Sequence, residues 1–254
     1  MCFVVKKEKI CMNHKYHRQT LLPEIGEEGQ EKLRQAKVLI VGVGGLGCPI
    51  ALYLTSAGVG HIGLIDNDVV SIHNLHRQVL YDEADIGQPK AICALHHLRP
   101  KNSDIELIAY PMRLTQENAE ALISEYDIVV DGCDNHATRY LISDVCHRLQ
   151  KPYVYAAIGA FQGQVGILCH KPDAPTYRTL FPDEEAMLAI ETGKGVIGTT
   201  PAVVGSVVAN EVLKLIIGYG EALLGKLLII DLLTLDIQKI LFTKCHPERN
   251  EGSR

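Results

Sequence analysis

No two of the eight cysteines stand in a C-x-x-C pair: Cys2, Cys11, Cys48, Cys93, Cys133, Cys146, Cys169 and Cys245 are scattered over 254 residues. That scatter argues against a structural zinc site and fits free thiols in a reducing cytosol, so a cytoplasmic location is expected. Basic residues are not in excess either. With 25 Lys and Arg against 30 Asp and Glu, the net charge of -5 leaves no electropositive footprint for bulk nucleic acid. No apolar run approaches the ~20 residues of a bilayer span, so no membrane partner is expected. The opening MCFVVKKEKICMNHK has too short an apolar core, with its charges behind it, for a signal peptide. There is no internal repeat and no low-complexity linker. Residues 1–14 are expected to be a flexible extension, with Met12 as an alternative start, and residues 245–254 a frayed polar tail. What is left, 15–244, is a single unit long enough for a substantial core.

Within that unit, β-branched apolar runs alternate with helical patterns. Lys37–Val41, His61–Ile65, Ile105–Tyr110 and Asp127–Val130 read as strands. Gln30–Gln35, Ile50–Ala57, Ile86–Leu98, Asn118–Ser124 and Thr138–Leu149 read as helices, with Pro49 tolerated in a first turn and Gly58 as a stop. The alternation predicts a Rossmann-like, doubly wound, mostly parallel α/β sheet. The pattern then changes. Tyr153–Ile158 and Gln164–His170 suggest antiparallel strands, and Lys171–Pro182 a loop with three prolines. Ala202–Ile217 predicts a deeply buried or interface helix, and Lys226–Asp231 with Asp236–Thr243 a terminal hairpin. The second half therefore extends the same sheet.

The chemistry concentrates between Val38 and Lys90. Gly42, Gly44 and Gly47 make a G-x-G-x-x-G turn between strand and helix, where glycines let phosphates approach backbone and the helix N-terminus favours the anion. Gly45 removes one more side chain there. Asp66 follows Gly47 by 19 residues at the next strand's end, placed to accept from ribose hydroxyls. Those features would suit any dinucleotide-binding protein. Arg77, which with Gln78 follows Asn74 in N-L-H-R-Q, and Lys90 in G-Q-P-K would not: an oxidoreductase using NAD has no general need of this arginine and lysine. An enzyme that attacks the α-phosphate of ATP does. Asp134 and Asn135 close the fourth strand in V-V-D-G-C-D-N, and strand C-terminal ends are where ligands bind in such sheets. Asp66, Lys90 and Asp134 are expected to converge, with Asp134 holding a magnesium ion on the triphosphate.

Taken together, K-Y-H-R-Q-T (Lys15–Thr20), G-V-G-G-L-G, D-N-D (Asp66–Asp68), N-L-H-R-Q, G-Q-P-K, D-G-C-D-N and G-V-I-G…G-S (Gly195–Ser206) resemble the ThiF/MoeB/HesA family, bacterial relatives of ubiquitin-activating enzymes. The resemblance runs from about Tyr16 to Phe242 and implies a reaction. ATP adenylates the C-terminal glycine of a small ubiquitin-fold sulfur carrier ending in Gly-Gly, releasing pyrophosphate, in thiamine or molybdopterin synthesis. It implies that Gly42, Gly44, Gly45, Asp66, Asn74, Gln78 and Asn135 bind nucleotide. Arg77 and Lys90 would hold the phosphates and Asp134 the magnesium. Arg18 would reach the partner subunit's site, so a homodimer is implied. Gly159, Gly163 and residues 193–198 are candidate walls for the carrier's tail.

Two departures stand out. Where many members place the first C-x-x-C of a zinc site, this chain has Thr176 and Thr179 in P-T-Y-R-T-L, so no structural zinc is expected and packing alone must hold the terminal hairpin. Cys245 and His246 make a poor metal site by themselves. The loop that carries a thiol in some members reads AIETGKGVIG here; Thr192 cannot replace a cysteine, so a separate sulfurtransferase is expected. Cys133 and Cys169 read as buried small hydrophobes. Alternatives on the same scaffold are the ATP-dependent threonylcarbamoyladenosine dehydratase acting on tRNA, which should carry a basic surface, and an inactive partner subunit, which would not need Arg18, Asp66, Arg77, Lys90 and Asp134 together.

Overall fold

The computed structural model describes residues 15–190 and 195–242. Eight strands form one sheet: β1 (Lys37–Val41), β2 (His61–Ile65), β3 (Glu106–Tyr110), β4 (Ile128–Asp131), β5 (Tyr153–Gly159), β6 (Gln162–Leu168), β7 (Lys226–Asp231) and β8 (Asp236–Leu241). Their spatial order is β3-β2-β1-β4-β5-β6-β7-β8. β1 to β5 pair in parallel and β5 to β8 antiparallel. The chain reverses its winding between β1 and β4, the switch point at which open α/β sheets bind ligands beyond their strands' C-terminal ends.

Alternation along β1 builds both faces. Val38 and Ile40 point into a core with α2 (Gly26–Gln35), α3 (Gly47–Ala57), α4 (Lys90–Leu98) and α9 (Thr199–Ile217). Leu39 and Val41 point into the other, with α5 (Gln116–Ser124), α6 (His136–Leu149) and the short α7 (Tyr177–Leu180) and α8 (Glu184–Leu188) beneath β5 and β6. Side chains of period two, buried on both faces, are what a parallel strand requires.

Several boundaries differ from the sequence expectation. The helix expected from Ile86 starts at Lys90, because Gly87 takes a left-handed φ of 86° and Pro89 caps the helix from extended backbone. Residues 83–85 form a 3-10 turn instead. The proline loop contains α7, nucleated by reciprocal capping between Thr176 and Thr179. Packing holds only one strand of the terminal hairpin: β7 buries Leu227, Leu228 and Ile230, whereas every residue of β8 is exposed and is carried by main-chain pairing to β7. Helix α9 has the length and composition of a bilayer span, contrary to the expectation that no such run exists. Here it packs on α2, α3, β5 and β6 and buries Glu211, whose carboxylate accepts from Lys214 Nζ and the Leu223 N–H.

A four-residue helix escaped the periodicity, α1 (His17–Thr20). It docks at the C-terminal end of α3. Asn102, buried, donates to the Tyr16 hydroxyl and the Thr55 carbonyl at 2.7 Å each and accepts from Lys15 Nζ at 2.7 Å. Gln19 donates to the Ala57 carbonyl at 3.1 Å. Asn102→Ala is expected to cost about 1–3 kcal/mol, since it strands the Tyr16 and Thr55 polar groups. Urea denaturation should report that loss and hydrogen exchange should show residues 15–22 losing protection; unchanged exchange would mean that Asn102 does not anchor α1.

Candidate active site

The glycine turn is shaped by contact with the β4 loop. Gly42 adopts φ 89°, and a side chain on it would meet the Gly132 carbonyl oxygen at 2.6 Å. Side chains on Gly132 or Gly47 would in turn overlap the Gly42 oxygen. The turn between β1 and α3 and the loop after β4 can approach only because all three lack a Cβ.

Asp66 locks onto this turn. Its Oδ2 accepts from the Val43 N–H and its Oδ1 from the Asp68 N–H, both at 2.8 Å. Burial pushes its carboxyl up from the ordinary aspartate value, against the pull of nearby Lys90. Lys90 is buried at the first residue of α4, with Nζ 3.0 Å from Asp68 Oδ2. The Tyr81 hydroxyl, 2.7 Å from the Val43 carbonyl and 3.2 Å from that of Lys90, ties the turn to the start of α4.

One cavity gathers these groups. Gly42, Gly44, Asp66, Asp68, Gln78 and Lys90 line it on the β1–β2 side, Gly132, Cys133, Asp134, Asn135 and Thr138 on the β4–α6 side, and Met112 and Arg113 beyond β3. Gln78 is buried on this wall, and its Oε1 has no partner among the described residues. Asp134 is exposed on the wall, its nearest partner the Asn135 amide at 3.4 Å. Asn135 caps α6, its Oδ1 accepting from the Thr138 N–H at 2.9 Å. The helix therefore presents its positive end beside Asp134.

Four expected residues do not line the cavity. Gly45 faces Pro201 and the Arg77 side chain on the outer side of the turn. Asn74 is buried as a cap: its Oδ1 accepts from the Ser71 N–H, and its carbonyl accepts from Arg77 and Gln78. In this way it positions the segment that carries Arg77 and Gln78. Arg77 donates to the His73 carbonyl at 2.9 Å and lies 2.8 Å from His76 Nε2, beside the turn. Arg18, on α1, sits at the far end of α3, a helix of 11 residues and hence about 16 Å from the glycine turn.

Sequence reasoning missed what holds Asp134. Asp131, fully buried, accepts from Arg139 Nε at 3.0 Å, the Tyr153 hydroxyl at 2.8 Å, the Cys133 N–H at 3.0 Å and the Cys133 thiol at 2.9 Å. Arg139 also donates to the Cys133 carbonyl at 2.8 Å. Cys133 is therefore not a buried hydrophobe but a donor in the cavity wall, its thiol pushed up by burial and the Asp131 charge. Cys169 is buried, as expected. Arg113 was also missed; its place just past β3, like Asp66 past β2, was the available signal. Gly163 packs closely against Val204 of α9, and together with Gly159, which opens on free space, it lines a groove of about 320 Å³ that His136, Tyr155 and Phe181 also wall. Thr192, Cys245, His246, Cys2, Cys11 and part of 193–198 lie outside the described residues.

A glycine turn, a buried strand-end acid, a buried lysine and a second, exposed acid thus meet at one switch point. A profile of the ThiF family matches residues 16–251. The chain belongs to the ThiF family. A Thermus thermophilus protein named sulfur carrier protein adenylyltransferase is 46% identical over 232 residues, 89% of this chain and 86% of the relative. The adenylyltransferase and sulfurtransferase MOCS3 of Mus musculus is 44% identical over 92% of this chain, and the chain spans 51% of it. Among solved structures, E. coli MccB with succinimide superposes with TM-score 0.80 at 26% identity, over 90% of this chain and 71% of that one. E. coli MccB with ATP, at 24% identity and TM-score 0.76 over 90% of this chain and 73% of that one, shares the fold.

Arg139→Met leaves the Asp131 carboxylate buried and uncompensated, and is expected to destabilise by about 3–5 kcal/mol. Chemical denaturation measures it; a loss below about 1 kcal/mol, the scale of an exposed pair, would show that the ion pair does not hold the β4 loop.

Proposed function

We propose that this ThiF-family chain is the ATP-dependent adenylyltransferase of a small ubiquitin-fold sulfur-carrier protein ending in Gly-Gly, in thiamine or molybdopterin synthesis. The observation that carries the reading is the convergence of Asp66, Lys90 and Asp134 on one cavity at the β1/β4 switch point. The names of the relatives support the choice of acceptor.

The reaction needs no protein nucleophile. A carboxylate oxygen of the carrier's last glycine bonds to the α-phosphorus, the bond from that phosphorus to the bridging oxygen breaks, and pyrophosphate leaves with the electron pair. Catalysis is positioning and charge neutralisation. The glycine turn at the N-terminus of α3 accommodates phosphates, Asp66 takes ribose hydroxyls, and Lys90 with Arg113 and nearby Arg77 offsets the charge that grows on the leaving group. Asp134, an exposed carboxylate on the wall, fits a hard divalent cation, and magnesium bound there would neutralise triphosphate oxygens. Arg18 lies too far from its own cavity, which favours a role in the partner subunit's site within a homodimer. The loop before α9 carries no cysteine, so the product is the acyl-adenylate and a separate sulfurtransferase supplies the sulfur.

Exchange of labelled pyrophosphate into ATP, required to depend on one Gly-Gly carrier, tests the reading; clear ATP binding with no exchange for any carrier would refute it. Asp134→Ala is expected to abolish exchange while light scattering still reports a folded dimer; full activity in that variant would remove the magnesium assignment. Mixing Arg18→Ala with Asp66→Ala subunits should restore up to about a quarter of wild-type activity, the share expected if one site in each mixed dimer is intact and subunits pair at random. No recovery in dimers shown to have exchanged subunits would end the role in trans.

A further inference from the structure

Helix α3 serves two segments, one at each end. Its N-terminus begins at the glycine turn, and its C-terminus holds α1, the segment with Arg18. Arg18 is exposed, and its guanidinium makes no hydrogen bond or ion pair among the described residues. Leu21 and Leu22, just beyond it, are exposed as well. No described group in its own subunit claims the guanidinium, so the residues that hold α1 set where it stands.

So short a helix cannot hold itself, and α1 buries none of its own residues. Polar anchors hold it instead. Asn102 is 2% exposed, and its amide is fully bonded. Its Nδ2 donates to the Tyr16 hydroxyl and the Thr55 carbonyl, and its Oδ1 accepts from Lys15 Nζ and the Asp104 N–H. The Tyr16 ring lies against Gly58, where φ is 86° and a side chain would meet the ring at 2.7 Å. Gln19 and Gln30 both donate to the Ala57 carbonyl at 3.1 Å, and Gln19 also donates to Gln30 Oε1 at 2.7 Å. Thr55 and Ala57 stand in the last turn of α3, where a helix leaves carbonyls without partners of its own. The segment with α1 is thus a cap on α3, and Asn102 bonds to both.

We propose that Asn102, acting through Tyr16, is a positioning residue for Arg18: it fixes α1 on the end of α3 so that the guanidinium meets the partner subunit's triphosphate at one place. The inference rests on the reading of Arg18 as acting in trans and adds which residues aim it. A guanidinium stabilises a transition state only where it already stands when the charge develops. Released from Asn102, α1 would carry Arg18 over a range of positions. The cost would fall on the reaction in the neighbouring subunit. ATP binding in its own cavity would be spared, because the glycine turn is about 16 Å away at the other end of α3.

Mixed dimers separate action in trans from a fault in the altered subunit itself. In pyrophosphate exchange, Asn102→Ala is expected to lower the maximal rate by about tenfold to a hundredfold, the scale of a misplaced catalytic group, with the Kd for ATP unchanged. Tyr16→Phe keeps the ring against Gly58 and deletes the hydroxyl, and should lose rate by a smaller factor. Asn102→Ala subunits mixed with Asp66→Ala subunits should recover to about a quarter of the wild-type rate, since the sound cavity of the first receives a well-held Arg18 from the second. Native mass spectrometry reports that subunits have exchanged. If Asn102 served only its own subunit, the mixture would show half the rate of Asn102→Ala alone. That result overturns the proposal, as does an unchanged rate in Asn102→Ala. The same mixing with Tyr16→Phe decides the matter if Asn102→Ala does not fold. Arg18→Ala mixed with Asp66→Ala is the control. Recovery in the control but not with Asn102→Ala sinks this inference alone; recovery in neither removes the action of Arg18 in trans, and this inference with it. No exchange in the wild type with any carrier strikes the carrier reading and both claims that stand on it.

Discussion

The Gly42 carbonyl oxygen has no spare room around it, and the site is built on that constraint. Gly132 and Gly47 both back onto it, so β1's turn and β4's loop are held at main-chain contact. Two main-chain bonds of 2.8 Å, from Gly42 to Ile65 and from Gly132 to Val41, fix the same three strands in register beyond their ends. From this one contact follow the depth of the cavity at the switch point, the start of α3 and the direction in which Asp134 leaves β4. A methyl group on any of these glycines would separate the phosphate cradle from the acid meant to face it.

Charge inside the site is arranged at a cost that the fold offsets unequally. Asp131 and Arg139 lie deep, and every oxygen of the carboxylate is bonded, so this pair is a scaffold with no free valence. Asp66 is different. Its two oxygens accept only from backbone N–H groups, and burial raises its pKa, so ionised Asp66 is less stable in the fold than in water. The contribution has the corresponding sign: a raised carboxyl makes folding weaker as pH climbs from the ordinary aspartate value through the folded one. Lys90 is shared between Asp68, to which it bonds, and Asp66, whose charge it eases. These are the marks of groups placed for a ligand rather than for the fold, whereas Asp131 is placed for the fold.

Much of this was legible because it follows from local chemistry. Apolar runs such as KVLIV can only be strands buried on two faces, and a glycine turn followed by an acid at the next strand end has one geometry available. Lys37–Val41, His61–Ile65 and Lys226–Asp231 accordingly fall where expected. What was illegible depends on distant partners. Nothing in V-V-D-G-C-D-N says that Asp131 points inward to Tyr153 while Asp134 points out, since that is set by β5 across the sheet. Four residues are too few for a periodicity, so α1 rests on Asn102, over eighty positions away. Asn74 and Arg77 sit in a motif that names their neighbourhood but not which atoms reach the cavity.

The P-T-Y-R-T-L segment shows how a departure from a family pattern can be accommodated. Thr176 and Thr179 are not zinc donors, yet they occupy the two ends of a capping box, with each hydroxyl accepting from the other residue's N–H at 3.3 and 3.1 Å. Between them, the Tyr177 N–H donates to Ser143 Oγ at 2.8 Å, and Arg178 forks onto Asp144 at 2.9 and 2.8 Å and reaches Glu184 at 2.6 Å. The segment thus closes its own hydrogen bonds against α6. The same α6 presents Asn135 and Thr138 to the cavity at its N-terminus, and Tyr177, pinned by this arrangement, places its hydroxyl 2.8 Å from His136 Nδ1. Holding α7 in place by hydroxyls and an arginine fork therefore acts on the groove that His136 and Phe181 line as well as on stability, because the register of α7 against α6 fixes where the Tyr177 hydroxyl meets His136.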